Sequence, residues 1–306
     1  MNRWLLLLMI SSFLVAGNQG PVPINRESAP IDWSAVPGRA GKATRSKDAK
    51  ADVLKVVPHL SANNLWKSSL LIRNDATYDI QVFLEFIAPD GLPVDVTFVD
   101  SDGTEFTSNG FAPVLSGFEI FGMDFDVVSE GFQSFQVFAY TDSAERFYGL
   151  EAMYHRYEGG VKVASVGAAY LPSFPRFLFN MDERFDLFSG QQKFRGLALT
   201  NTEDGNCDCT AYLYDDGLNG ANLNGYIDAV TIQLGAQQKW VGYIIELFPE
   251  IDTQLQRGFG YIDVDCQGRL VSAMGLVFEN DSPLAGSVPI DPLYAGNKDQ
   301  VRPPSR

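Results

Sequence analysis

The stretch Asp79-Ile80-Gln81-Val82-Phe83-Leu84-Glu85-Phe86 carries Ile80, Val82, Leu84 and Phe86 at every second position, with mostly polar residues between them. A period of two is that of an extended chain whose successive side chains leave opposite faces, so these residues predict a half-buried β-strand. Outward from it, turn-forming groups punctuate the chain at Pro89-Asp90-Gly91, Asp102-Gly103, Asn109-Gly110, Glu158-Gly159-Gly160, Asp204-Gly205-Asn206, Asp216-Gly217, Asn219-Gly220, Asn224-Gly225 and Gln267-Gly268. Short strands separated by such turns predict an all-β protein of packed antiparallel sheets. The 22 Phe and 12 Tyr favour strands.

A weak internal repeat divides the pattern in two. Leu70-Leu71-Ile72-Arg73-Asn74 precedes Phe83 to Phe86 and Asp90-Gly91-Leu92, just as Leu197-Ala198-Leu199-Thr200-Asn201 precedes Tyr212-Leu213-Tyr214 and Asp216-Gly217-Leu218. Phe135 to Tyr140, then Arg146 to Tyr154, parallel Phe259 to Val264, then Arg269 to Phe278. The expectation is two tandem Ig-like antiparallel β-sandwiches over 53–175 and 193–292, each with alternating inward faces. Residues 176–192, with Phe177, Phe179, Phe185 and Phe188, are expected to join them by packing between the units. Gly242 to Pro249 is short, apolar and stopped by proline, which predicts one helical turn closing an end of the second unit.

Leu-x-Leu-x-Asn, an alternating strand, Asp-Gly, then Ile245-Glu246-Leu247-Phe248-Pro249 and a closing Val288-Pro289 resemble the tandem sandwich repeats of bacterial exported proteins of uncharacterised function. The resemblance runs from about Val56 to Leu293 and departs at Phe121 to Glu130, where the first unit has no Leu-Phe-Pro turn. It implies a fold and an exported address, and brings no catalytic residues.

Residues 1–17 combine one cation, Arg3, with the apolar run from Trp4 to Ile10, then Phe13-Leu14-Val15 and small residues at Ala16-Gly17. This is the layout of a signal peptide cleaved before Asn18, and its apolar run is shorter than the roughly 20 residues that a bilayer span needs. The chain is therefore expected to be secreted or periplasmic, with a cell-surface association open and no transmembrane span. Residues 18–52 and 293–306, rich in Pro, Ser and charge, are expected to form a disordered leader and tail. The net charge is −15, or −16 once Arg3 is removed. Such a field excludes nucleic acid as a partner, because affinity there comes from neutralising phosphates.

Three cysteines must be placed. Cys209 and Cys266 each share a strand face with apolar neighbours, and Cys207 lies two residues from Cys209. Export implies an oxidising compartment, so Cys266 is expected to bond to Cys209 or Cys207, leaving one thiol over. A zinc site would lack a fourth ligand, since the two histidines, His59 and His155, are far away in sequence.

No nucleophile elbow, zinc-protease motif or phosphate loop occurs. Asp263 and Asp265 fall on one strand face, where a pair of acids could serve glycoside chemistry or simply face water. Calcium is the candidate cofactor: Asp100 and Asp102 in one turn and Asp215, Asp216 and Asn219 in another crowd oxygen ligands, although neither has EF-hand spacing and ordinary turns use the same residues. Tyr212 and Tyr214 share the face opposite Leu213 and are candidates for stacking on glycan. The sequence thus points to a secreted, non-enzymatic structural or adhesive protein whose partner would be a cell-surface protein or glycan. The alternative is a carbohydrate-binding or carbohydrate-processing exported protein.

Overall fold

The computed structural model describes residues 31, 33, 36, 55–63, 65–125, 133–141, 148–169, 172–182, 193–215, 225–255, 259–279, 285–288 and 290–292. Residues 1–17, expected to be a signal peptide, and 293–306, expected to be a disordered tail, lie outside them. The first unit contains β1 (Lys55–Ala62), β2 (Trp66–Asn74), β3 (Ile80–Ile87), β4 (Val96–Asp100), β5 (Glu105–Ser108), β6 (Gly110–Phe111), β7 (Val114–Leu115), β8 (Ile120–Phe125), β9 (Gln133–Thr141), β10 (Tyr148–Glu158) and β11 (Val161–Ala169). The second contains β12 (Arg176–Asp182), β13 (Lys193–Asn201), β14 (Cys207–Asp215), β15 (Tyr226–Leu234), β16 (Lys239–Tyr243), β17 (Phe259–Asp265), β18 (Val271–Glu279), β19 (Ala285–Val288) and β20 (Ile290–Pro292). Two short helices, α1 (Ile244–Leu247) and α2 (Ile251–Gln254), follow β16. Ile244, Phe248, Ile251 and Leu255 are buried in the second core, so the apolar stretch before Pro249 does close one end of that unit.

Each unit is a pair of antiparallel sheets. The orders are β1-β9-β3-β6, with β7 also on β3, facing β11-β10-β2-β8-β4-β5, and β15-β14-β17-β12-β20 facing β16-β13-β18-β19. The alternating residues that predicted β3 point into the first core, where Phe86 meets Phe98, Phe125 and Phe135 at ring-centroid distances of 5.6, 5.9 and 5.9 Å. Burying one such ring stabilises the fold by roughly 1.5–3 kcal/mol, so the phenylalanine content is spent in cores.

Strand order makes the repeat explicit. Aligning β2 with β13 sets β6-β3-β9-β1 on β15-β14-β17-β12 and β11-β10-β2-β8 on β19-β18-β13-β16. The two repeated asparagines explain why the Leu-x-Leu-x-Asn signature recurs. Both are fully buried at a strand end. The Asn74 amide donates to the carbonyls of Tyr78 (2.7 Å) and Ser116 (2.9 Å) while its oxygen accepts from Ala76 N–H (2.8 Å). Asn201 donates to Gly205 (2.6 Å) and Gly235 (2.8 Å) and accepts from Glu203 N–H (3.0 Å). The loop each holds is also shared: Ser116 N–H donates to the Glu119 carboxylate and Gly235 N–H to the Gln238 amide oxygen, with Phe118 and Gln237 at positive φ (63° and 53°).

Two expectations are corrected. Residues 176–182 are not part of a connector: they form β12, paired with β17 and β20, and Phe177 and Phe179 lie in the second core. Their alternation with Arg176, Leu178 and Asn180 is that of a sandwich strand. Phe185 and Phe188 lie outside the described residues. The leader is likewise not wholly without packing. Ile31, Trp33 and Val36 cover Val56, Phe138 and Tyr140 on the outer face of the β1-β9-β3 sheet, and a Cβ at Gly110 would fall 2.1 Å from the Trp33 ring.

The units meet along the outer face of β16-β13-β18. Thr200 Oγ1 donates to the carbonyl of Pro58 (3.2 Å) and Ser272 Oγ to that of Val56 (3.2 Å), both on the edge strand β1. Lys239 N–H donates to Pro89 O (3.1 Å), and Gln238 Nε2 to Asp90 O (3.1 Å). Gly91 has φ of 87° and passes so close that a Cβ would sit 2.4 Å from Ala236 O. Ala198, Met274 and Leu276 of the second unit belong to the first unit's apolar cluster.

Because the fully buried Asn201 satisfies partly buried backbone groups that have no other described side-chain partner, Asn201→Ala is expected to destabilise the protein by about 1–3 kcal/mol. Urea unfolding should show this as a lower midpoint, while Thr210→Ala, on the partly exposed face of β14, should leave the midpoint nearly unchanged.

Candidate functional site

Four adjacent strands of the first unit bring polar side chains together on the outer face of the six-stranded sheet. His155 of β10 lies between Ser69 of β2 (Nε2 to Oγ, 3.0 Å) and Ser165 of β11 (Nδ1 to Oγ, 2.8 Å), and Ser69 Oγ–H donates to Asp124 of β8. The polarity follows by elimination. Ser69 has one proton and gives it to Asp124, so its oxygen accepts from Nε2–H, which leaves Nδ1 to accept from the Ser165 hydroxyl. Burial, then Lys162, lowers the His155 pKa, partly offset by Asp124, consistent with a neutral ring. The order is therefore Asp-Ser-His-Ser. A hydrolase needs the carboxylate on the histidine and the serine free to attack. Here Ser69 is buried and acts as a relay, and the line ties four strands together. His155 is a hydrogen-bonded structural histidine. Sequence reasoning missed Ser69, Asp124 and Ser165, whose only signal would have been their shared strand parity.

His59 and Lys239 face each other across the junction at 3.4 Å (Nδ1 to Nζ). Burial first, and then Lys239, pulls the His59 pKa down to about 3, while burial takes the Lys239 ammonium down to about 7. Tyr154, whose hydroxyl donates to the His59 carbonyl and touches Met274 Sδ at 3.0 Å, stacks over the imidazole. Burial pushes the Tyr154 pKa well above its ordinary value. This cluster lies at the meeting of the sandwiches, with Lys239 buried and His59 partly exposed, so it is a junction element rather than a substrate site.

The outer face of the second unit's five-stranded sheet carries Tyr212 and Tyr214, as the alternation predicted. Tyr214, however, is only 3% exposed, against the expectation of a wetted ring. It stacks on Tyr261 (4.9 Å) and meets Tyr226 edge-on (5.9 Å). Burial, then Asp263, pushes its hydroxyl up to about 12. Tyr212, Tyr226 and Tyr261 remain half-buried. Beneath them Arg176 grips Asp263 through both oxygens, Nε to Oδ1 at 2.8 Å and Nη2 to Oδ2. Hydrogen bonding to Asp263 raises the Arg176 pKa, with burial opposing. Asp265 accepts from Gln267 N–H at 2.8 Å in the following turn. The Asp263 and Asp265 pair is therefore committed to an ion pair and a turn cap, and does not present two working acids.

Cys209 is bonded to Cys266 with Cα atoms 4.0 Å apart, joining β14 to the end of its neighbour β17 within one sheet. Cys207 is a buried free thiol with its sulfur 3.5 Å from that of Cys209. The three sulfurs are the one cluster among the described residues that could hold a metal, but two are consumed by the disulfide. Burial raises the Cys207 pKa to about 11, so the thiolate needed for exchange or ligation is scarce at neutral pH. Of the calcium candidates, Asp100 accepts from the N–H groups of Asp102 and Thr104 (both 2.9 Å), an ordinary capped turn. Asp102 and Asp215 join no group of three metal-binding side chains among the described residues, and Asp216 and Asn219 lie outside them. No protein-family model matches the chain, and no curated protein matches it in sequence.

Two predictions follow from these environments. The folded-state pKa values of His59 and Lys239 are lowered, so the unfolded chain binds more protons between about pH 3 and 6.5 and between about pH 7 and 10.5. Each residue therefore makes stability rise with pH across its own window, and acid weakens the junction. Lys239→Met should remove the upper window, flattening the wild-type rise in urea midpoint between pH 7 and 10, with a difference on the order of several kcal/mol. Separately, a thiol reagent should find no reactive cysteine in the native protein at pH 7.5, one after denaturation and three after reduction. Three reactive thiols after denaturation without reduction would contradict the pairing.

Proposed function

We propose that the chain is an exported, non-enzymatic structural or adhesive protein built from two immunoglobulin-like sandwiches, of the kind its sequence resembles in bacterial exported proteins. The observation carrying this is the junction. The β13-β18 part of one sheet face of the second unit, with Lys239 at the start of β16, is covered by the first through hydroxyl, amide and backbone hydrogen bonds, which makes the pair a stiff double module that presents surfaces instead of opening around a substrate. The polar groups with catalytic potential point the same way, since Ser69, His155, Asp124, Arg176 and Asp263 all serve cross-strand ties. A second reading, glycan binding, is favoured by one feature, the half-buried rings of Tyr212, Tyr226 and Tyr261 beside the Arg176 guanidinium.

Purified mature protein incubated with panels of esters, peptides and polysaccharides should give no turnover, and a fluorophosphonate probe should label neither Ser69 nor Ser165. Turnover abolished by Ser69→Ala or Ser165→Ala would overturn the proposal. Retention on a polysaccharide that is lost on Tyr212→Ala, without turnover, would move the reading to glycan binding.

A further inference from the structure

The repeat contains an internal comparison. In the second unit the outer face of β13-β18, with Lys239 at the start of β16, is buried against the first unit, Ala198, Thr200, Lys239, Ser272 and Met274 all being less than 9% exposed, while Val241 and Tyr243 further along β16 are exposed. The first unit's matching face, on β8-β2-β10, is open. Register equates Arg73 with Thr200, Ile120 with Lys239, Gly149 with Ser272 and Glu151 with Met274. Ile120 on that face is 63% exposed beside a hollow of about 320 Å³.

Two rows of three residues cross this face. Ile120, Arg73 and Gly149 lie opposite one another on β8, β2 and β10, and Gly122, Leu71 and Glu151 form the next row. The two glycines are not required by the chain's own fold. Neither has a positive φ, and a Cβ would make only ordinary contacts, 3.5 Å from Leu71 at Gly122 and 3.4 Å from Arg73 at Gly149. A glycine inside a strand weakens it, and it commonly marks the close approach of another chain or ligand.

From this arrangement we infer that the face pairs with the same face of a second copy of the chain about a two-fold axis. An axis lying in the face, across the strands and between the rows, sets each row on the other. Ile120 then sits over Gly122 of the second copy, Glu151 over its Gly149, and Arg73 over its Leu71, beside its Glu151. Large residues meet glycines, and the Arg73 guanidinium, held by Asp75 of its own chain, comes beside the other copy's Glu151, as an isologous contact demands. A head-to-tail stack is blocked by the fold. The first unit docks through the free edge of β1, and the corresponding strand of the second unit, β12, already has β20 on that edge.

The inference rests on taking the chain as a structural module, and the two can fail separately, since a monomer would leave that reading standing and turnover would sink it even in a dimer. Sedimentation equilibrium of the mature chain at micromolar concentration should give a dimer. Ile120→Arg and Gly149→Phe should each yield a folded monomer by circular dichroism. Arg73→Glu should weaken the dimer at least about ten-fold, and adding Glu151→Arg should restore it. A wild-type monomer would overturn the inference, as would a dimer indifferent to Ile120→Arg and Gly149→Phe.

Discussion

The free edge of β1 presents carbonyl oxygens that must find donors if they are buried, and the second unit supplies them from Thr200 and Ser272. Much of the molecule follows from this match. It places small hydroxyl residues at sheet positions where larger ones would hold the units apart, and it lets Ala198 and Met274 extend the first unit's apolar cluster. It also places the buried Lys239 beside the half-buried His59, where charge is costly. The junction is thus favourable through packing and satisfied hydrogen bonds but carries a pair of bases that would rather be neutral. That tension gives the contact its pH sensitivity.

The two units share a backbone plan and differ in what covers it. In both, a buried asparagine gathers the carbonyls of its own turn and of a neighbouring loop, and a side chain three residues on closes that loop. These bonds act on backbone atoms, so they persist while outward residues change. The outer face of β1-β9-β3 takes Trp33 and its neighbours from the leader, whereas the equivalent face of β14-β17-β12 is occupied by tyrosines over an ion pair. The second arrangement leaves three tyrosine rings half-buried where the first buries Phe138 and Tyr140 under Trp33, because there no apolar segment among the described residues lies over it.

Period-two alternation made β3, β14 and β17 legible, since a half-buried strand must alternate. The repeat of Leu-x-Leu-x-Asn was legible because one buried side chain does the same work twice. The burial of Cys209 and Cys266 also followed from parity, although which cysteine pairs depended on register, which spacing alone does not give. The strand β12 was misassigned because its aromatics sit near the middle of the chain, where a connector was expected, and the core that claims them is formed by strands some 80 residues later. The Ser69, Asp124, His155 and Ser165 line was invisible because its members come from four strands brought side by side only by the sheet order. Asp100, a candidate calcium ligand, and Asp265, one of a candidate acid pair, both cap turns, an ambiguity inherent in residues that serve either purpose.

An all-β chain must also keep its strand edges from pairing with other molecules. Several edges are handled in this way. The junction takes β1, β20 takes β12, and α1 follows directly on β16. At the far side of the six-stranded sheet, β5 is four residues long with exposed Glu105 and Thr107. The short strands β6 and β7 both lie on β3, where Trp33 packs over Gly110. The nine-residue strands β11 and β15 stay as edges with no further strand paired beyond them among the described residues, so sheet faces offer surfaces for contact alongside these two edges. Faces select partners by the size and charge of their side chains, so changing a few outward residues is enough to turn one repeat towards its covalent neighbour and to leave the other free for a separate molecule.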